Sequence, residues 1–397
     1  MPLPTSQPRP WILPVIVLAQ FAGTSLWFAG NIVLPDLLRD AHLAGTSLSL
    51  MVSAVQLGFI GGTLGFALLT LADRVPPARL FLLSAVAGSL ANLGLLLPGP
   101  TPALLLGLRF CTGLCLAGIY PVGMKIAADY YADGLGKALG FLVGALVLGT
   151  ALPHGLRWLT AGVAWQLVVL ATSALALGGG LLLWLLVPNG PFRRVGSRLQ
   201  LSAVRGIWQD QPFRAAAFGY FGHMWELYTF WAFVPLLLAT YGRLHPEITL
   251  LGPALAFLLI AAGAPACVAS GYVARRLGTL RTARLALWVS GLGCLLSPVL
   301  LLLPLPYFVA ALAVWGMAVV ADSPQFSALV AQQAPAALKG TALTMVTCLG
   351  FALTIVSLQS FAALQNVVEA RYLFLLLAPG PLLGLWATRS TGRSATT

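Results

Sequence analysis

Apolar residues run along this chain in long blocks separated by short polar breaks, with neither the alternation of a half-buried strand nor the single stripe of a surface helix. Twelve blocks fall at 12–35, 47–71, 79–98, 103–126, 137–154, 164–187, 214–240, 250–273, 283–303, 307–330, 341–362 and 372–388. About 20 apolar residues in helical form cross a bilayer, so each block predicts a membrane-spanning helix. The first block follows Arg9 and is longer than the roughly 7–15-residue apolar core of a signal peptide, so it counts as a span. Connections are short except 188–213, which carries Pro188, Pro191 and charged residues without a long apolar run. The pattern predicts an all-α membrane protein with a six-helix bundle at 1–187, a cytoplasmic linker at 188–213 and a second six-helix bundle at 214–397.

Composition narrows the class. Of 397 residues, 59% are hydrophobic and 8% charged, against about 25% charged in soluble domains. So few charges cannot clothe a soluble enzyme of this length. Twelve helices take about 240 residues, which matches the hydrophobic share of the chain, 59% of 397 residues, so the apolar content is accounted for by spans joined by short loops. The net charge of +12 reads as topology. With the N-terminus inside, 17 of the 22 basic residues fall on one side, Arg39, Arg157, Arg243 and Arg371 fall on the other, and Arg109 lies within a span. Basic residues collect on cytoplasmic loops, which predicts a multi-pass protein of the cytoplasmic (inner) membrane with both termini cytoplasmic. No basic run is interleaved with aromatics, so nucleic acid is not an expected partner. Cys111, Cys115, Cys267, Cys294 and Cys348 all sit in apolar stretches and read as small buried hydrophobes. No metal site or cofactor is expected.

The two halves resemble each other. LADRVPPAR (71–79) and VARRLGTLR (273–281) follow the second and eighth spans, 202 positions apart. Gly136-Lys-Ala-Leu139 matches Gly340-Thr-Ala-Leu343 at an offset of 204, and Pro121 and Pro324 are 203 apart. A near-constant offset predicts a duplicated unit and hence two pseudo-symmetric bundles, a transporter architecture.

These segments resemble the major facilitator superfamily. The loop after the second span is similar to that family's G-x-x-x-D-R-x-G-R-R-like motif through Asp73, Arg74 and Arg79, with Leu69 and Pro76 at the glycine positions. The second copy keeps Gly271, Arg276, Gly278 and Arg281, with Arg275 at the acidic position. RFCTGLCLAG (109–118) resembles the family's Arg-x-x-x-Gly motif through Arg109 and Gly113, and GIYPVGMKIAADYY (118–131) is similar to bacterial members. The antiporter pattern Gly-Pro-x-x-Gly-Gly is absent from GFLVGALVLGTALP (140–153). The resemblance implies the twelve-helix fold of that family, with spans 1, 4, 7 and 10 walling a central cavity.

An ionised side chain at the bilayer centre costs about 2.5–3.5 kcal/mol on insertion scales, so such residues need a partner or a cavity. Three lie well inside spans: Arg109, Glu226 and Asp322. Glu226 is about 18 Å from the inner end of span 7, near the midplane, with His223 on the same helix face. Burial disfavours a charged carboxylate, which makes Glu226 the leading candidate for proton coupling. Asp322, in ADSPQF (321–326), lies in the inner third of span 10. Arg109 is about 10 Å from the outer end of span 4, placed either to hold a counter-charge or to snorkel. With both acids ionised the trio carries a net negative charge, which favours a cation or a neutral solute; with both protonated, Arg109 dominates and the preference reverses. Asn31, Gln56, Tyr120, Trp225, Tyr228 and Gln325 are candidate cavity-lining residues, with Gln20 and Trp27 beside them. Asp73, Arg74, Arg79 and Asp129 are candidates for a cytoplasmic gate. Gly136, Gly140 and Gly144 recur every four residues, a spacing that lets helices approach closely and here predicts a sliding interface.

The expected function is secondary active transport of a small solute by alternating access, coupled to protons. A facilitative uniporter or channel-like permease without proton coupling is the alternative. His223 and Glu226 form a lone H-x-x-E without the second histidine of a zinc protease, and no nucleophile elbow or ATP-binding motif occurs, so enzymatic activity is not expected. Expected partners are the lipid bilayer, a small-molecule substrate and protons, for a monomeric protein.

Overall fold

The computed structural model describes residues 9–42, 47–131, 135–160, 163–193, 204–335 and 338–389. Among them the regular structure is helical. The spans are α1a (Ile12–Thr24) and α1b (Leu26–Asp40), α2 (Leu48–Leu68), α3 (Pro77–Leu93), α4a (Pro102–Leu116) and α4b (Tyr120–Tyr130), α5 (Leu135–Leu159) and α6 (Gln166–Leu186). They continue as α7 (Gln211–Leu244), α8a (Gly252–Ala261) and α8b (Gly263–Leu277), α9 (Thr279–Leu300), α10a (Leu305–Ala321) and α10b (Ser323–Gln333), α11 (Lys339–Leu364) and α12 (Pro379–Thr388), the last preceded by a 3-10 turn at Leu373–Leu377. Ten of these helices or joined pairs are long and apolar enough to cross a membrane, and Leu373–Thr388 is a shorter apolar helix. The remaining crossing is α7. Its 34 residues reach about 51 Å at 1.5 Å per residue, and polar residues in its middle lower its hydropathy.

Two differences from the hydropathy reading have a common cause. The fifth helix runs to Leu159 and the first to Asp40, beyond the expected ends at 154 and 35. His154, Arg157 and Asp36 lower the local hydropathy yet continue the helices. Arg157 donates to Asp36 at 2.5 Å, and the Trp165 indole donates to Asp40 at 2.7 Å. Polar partners across helices hold these ends in place of apolar burial.

Several spans are broken rather than straight. The fourth breaks at 117–119 and restarts with Pro121 in its first turn; the tenth breaks at Asp322 and restarts with Pro324 in its first turn. Proline lacks the N–H that would continue a ladder but suits a first turn. The two repeat-related prolines therefore produce equivalent breaks. The first span breaks at Ser25, where Thr24 and Ser25 hydroxyls bond back to the Gln20 and Ala22 carbonyls, while α7 is unbroken.

Lipid supplies no hydrophobic drive between helices, so close backbone approach and hydrogen bonds bind them. In the first half, Asn92 of α3 donates to Val169 O, Thr172 and Ser173 of α6. A Cβ on Gly58 would meet the Phe110 carbonyl, and one on Gly113 the Val55 carbonyl, so α2 and α4a touch backbone to backbone. In the second half, Gly222 of α7 meets Gly380 and Gly384 of α12 in the same way. Between the halves, α5 packs on α8 with Gly144 against the Ala264 carbonyl and Gly140 against Cys267; Gly136 has open space beside it. Across the seam of α2 and α11, Gln359 donates to Ser53 at 2.8 Å.

Candidate functional site

The buried charges occupy different halves. Arg109 is fully buried. Its guanidinium donates to the carbonyls of Leu26 and Trp27 and to Asn31 Oδ1 at 3.1 Å. It clasps the first turns of α1b just past the break, and does not snorkel. Among the described residues it has no acidic partner, so backbone and amide dipoles hold the charge.

In the second half, His223 and Asp322 approach to 2.7 Å between Nδ1 and Oδ1, both sealed from solvent. Asp322 sits at the α10 break, and His223 lies on α7. One turn along α7, Glu226 Oε1 accepts from the Trp315 indole at 2.8 Å and from the Cys294 thiol at 3.1 Å. Glu226 is therefore enclosed by α7, α9 and α10a, and the α7 face that carries it and His223 turns into its own half. The Cys267 thiol similarly points to the Val320 carbonyl at 3.4 Å. Four of the five cysteines are buried, and Cys111 is exposed.

The halves meet at mid-height through aromatic rings. Trp27 of α1b stacks on Tyr228 of α7 at 5.5 Å and on Phe351 of α11 at 5.8 Å. Phe59 of α2 lies 4.4 Å from Phe351, and Tyr228 meets Trp231 edge-on at 5.5 Å. Just beyond this cluster, toward the end of the molecule that carries the 245–251 connection, a cavity of about 680 Å³ opens between α1b, α5, α7 and α8a. Phe28, Asn31, His154, Ala232 and Pro235 are among its lining residues, and Asp36 and Arg157 also line it.

The structure thus separates the residues singled out by sequence. Asn31 lines the cavity and Tyr228 forms part of the aromatic cluster. Gln56 and Gln20 are buried with both amide atoms unpartnered, and Gln20 faces Gly123 of α4b. Tyr120 is half-buried at the start of α4b. Trp225 donates to the Leu376 carbonyl at 2.9 Å, and Gln325 donates to Ser270 at 3.2 Å; both contacts lie within the second half. Arg74 and Arg79 are exposed and Asp129 is buried. The Asp129 carbonyl accepts from Phe192 N at 3.0 Å, at the head of the linker. The side chain of Asp73 lies outside the described residues. Sequence reasoning passed over His154, Asp36, Arg157 and Trp315. The available signal was a histidine that ends an apolar block and an arginine three positions on (154 and 157), the latter assigned by hydropathy to a loop.

A polytopic helical bundle with matched half-helix breaks and a cavity between its halves defines a membrane transporter. A family model of the Major Facilitator Superfamily matches residues 16–358, and the chain belongs to that superfamily. No curated protein matches it individually. The protein is therefore a multi-pass integral membrane transporter of this family.

Proposed function

We propose that this chain is a proton-coupled secondary transporter that carries a small solute by alternating access, acting as a monomer in the cytoplasmic membrane with both termini inside. The basic-residue asymmetry supports that orientation and turns the cavity toward the outside. The observation that carries the coupling is the sealed trio His223, Asp322 and Glu226. Two carboxyls buried within one half, one at a helix break and one hydrogen-bonded to an indole, cannot both hold full charge cheaply in low dielectric. Proton binding neutralises them, and proton release requires access when the halves rock. Residues 1–187 and 214–397 are the rocking units, with α5 against α8 and α2 against α11 as sliding seams. Arg109 braces the α1 break, and Asp73, Arg74, Arg79 and Asp129 serve the cytoplasmic closure.

The test uses proteoliposomes, a pH-sensitive dye inside, and a solute found by thermal-shift screening of the purified protein. Glu226→Gln and Asp322→Asn should each lower gradient-driven movement at least tenfold. Movement that ignores the pH gradient, with Glu226→Gln fully active, would make the protein a facilitative uniporter.

A further inference from the structure

We propose that the cavity between α1b, α5, α7 and α8a binds an uncharged, mostly apolar solute, held at one polar pole by hydrogen bonds to Asn31 and His154. This deepens the transporter reading and rests on it only in treating the ligand as cargo.

The polar pole follows from Arg109. A guanidinium only donates, so the Asn31 atom 3.1 Å from it is the amide oxygen. The Asn31 amide nitrogen is then a donor with nothing to donate to, although the side chain is buried. His154 is also buried, and its Nε2 has no hydrogen-bond partner. Both residues line the cavity. Leaving a buried polar atom unpaired costs about 1–3 kcal/mol; a ligand carbonyl or hydroxyl oxygen removes that deficit by accepting from Asn31, and from His154 in the tautomer that carries its proton on Nε2. No ion pair of the described residues includes His154.

The rest of the wall argues against charge. Apart from the Asp36–Arg157 pair, the lining has no acidic or lysine/arginine side chain. Asp36 is already held by Arg157 at 2.5 Å and by Arg39 at 3.3 Å. An ionic solute would have to shed water against Phe28, Ile32, Leu238 and Pro253 or break that pair, and both are unfavourable. Arg109, Glu226 and Asp322 do not line the cavity, so their summed charge does not select the solute. A volume of about 680 Å³ falls within the range of about 300–1,000 Å³ for small-molecule sites.

Photolabelling of the full-length protein in lipid nanodiscs tests this. The probe is benzophenone, an uncharged diaryl ketone whose carbonyl accepts hydrogen bonds and which inserts into nearby C–H bonds under light. Its charged relatives are 4-benzoylbenzoate and (4-benzoylbenzyl)trimethylammonium. Peptide mapping should find benzophenone adducts on the cavity wall between Ala232 and Ala256, at least threefold above those of either charged probe. The reference is labelling of the lipid-exposed stretch of α6 around Leu181 and Leu185. Asn31→Leu combined with His154→Leu should lower cavity adducts at least threefold against that reference. Ala239→Trp, which fills the cavity from an exposed position on the far wall, should do the same while leaving the buried polar pair in place. Cavity adducts that are absent, equal or stronger with a charged probe, or unchanged in Ala239→Trp, overturn the proposal. Labelling is read without any gradient. A failed coupling experiment therefore leaves this result standing, and a failed labelling leaves the coupling result standing.

Discussion

Arg109 and Glu226 are both buried charges, and each is answered by groups far away in sequence. Arg109 reaches three acceptors on α1b, 78 to 83 positions away. A lysine there is a point charge on a flexible stem and cannot span the same fork. Arg109→Lys should therefore lower the thermal-unfolding midpoint in detergent, by an amount worth about 1–3 kcal/mol. Glu226 takes its donor from Trp315, 89 positions on. Trp315→Phe keeps a ring but removes the N–H, leaving a buried acceptor short of a partner. It should destabilise by about 1–3 kcal/mol in the Glu226 background and by less when Glu226→Leu is already present, as a double-mutant cycle would show. Sequence marks both charges as buried because each interrupts an apolar block. It says nothing of the indole or the carbonyls, whose own positions look like ordinary apolar helix.

Helices in this protein are shaped by where their backbones must come close. Gly113, the glycine of the Arg-x-x-x-Gly motif, lets α4a lie directly on the α2 backbone. The nearest atoms a methyl group there would meet are backbone, the Val55 carbonyl and the Phe59 nitrogen, with no flexible side chain end among them. Gly113→Ala should cost about 1–3 kcal/mol through overpacking and lower the unfolding midpoint. Gly65→Ala, in open space on the same α2 helix, should leave the midpoint unchanged. The motif thus joins a charge that clasps α1 to a glycine that seats α4 on α2, four residues apart. Helix ends were less legible than helix centres. Asp36 and Arg157 read as loop because hydropathy scores each residue alone, whereas their ion pair and cavity position depend on two helices meeting.

At the scale of the whole molecule, transport by rocking requires the seams between halves to move. Gln359 and Ser53 touch across α2 and α11. Cysteines at both positions, joined by a short bifunctional thiol reagent, should abolish solute movement in proteoliposomes, and reduction of a cleavable version should restore it. Unchanged transport in the cross-linked protein would show that this seam stays closed through the cycle. The aromatic cluster of Trp27, Phe59, Tyr228 and Phe351 joins the two halves. Its members come from four different helices in both halves, so no local pattern could announce it.

The sequence alone determined the membrane class, the twelve crossings, the repeat, and the short roll of charges inside the spans. Each of these is set by local quantities: the length of an apolar run, the side on which basic residues gather, the spacing of two prolines. The tertiary structure decided the partners. Only the packing of the helices sealed Glu226 and the His223–Asp322 pair inside the second half, and placed Arg109 against α1. It also gave Asn31 and His154 a shared cavity wall. The reason is physical: in lipid every span is apolar whatever it faces, so the pattern that reveals a helix does not reveal its neighbours.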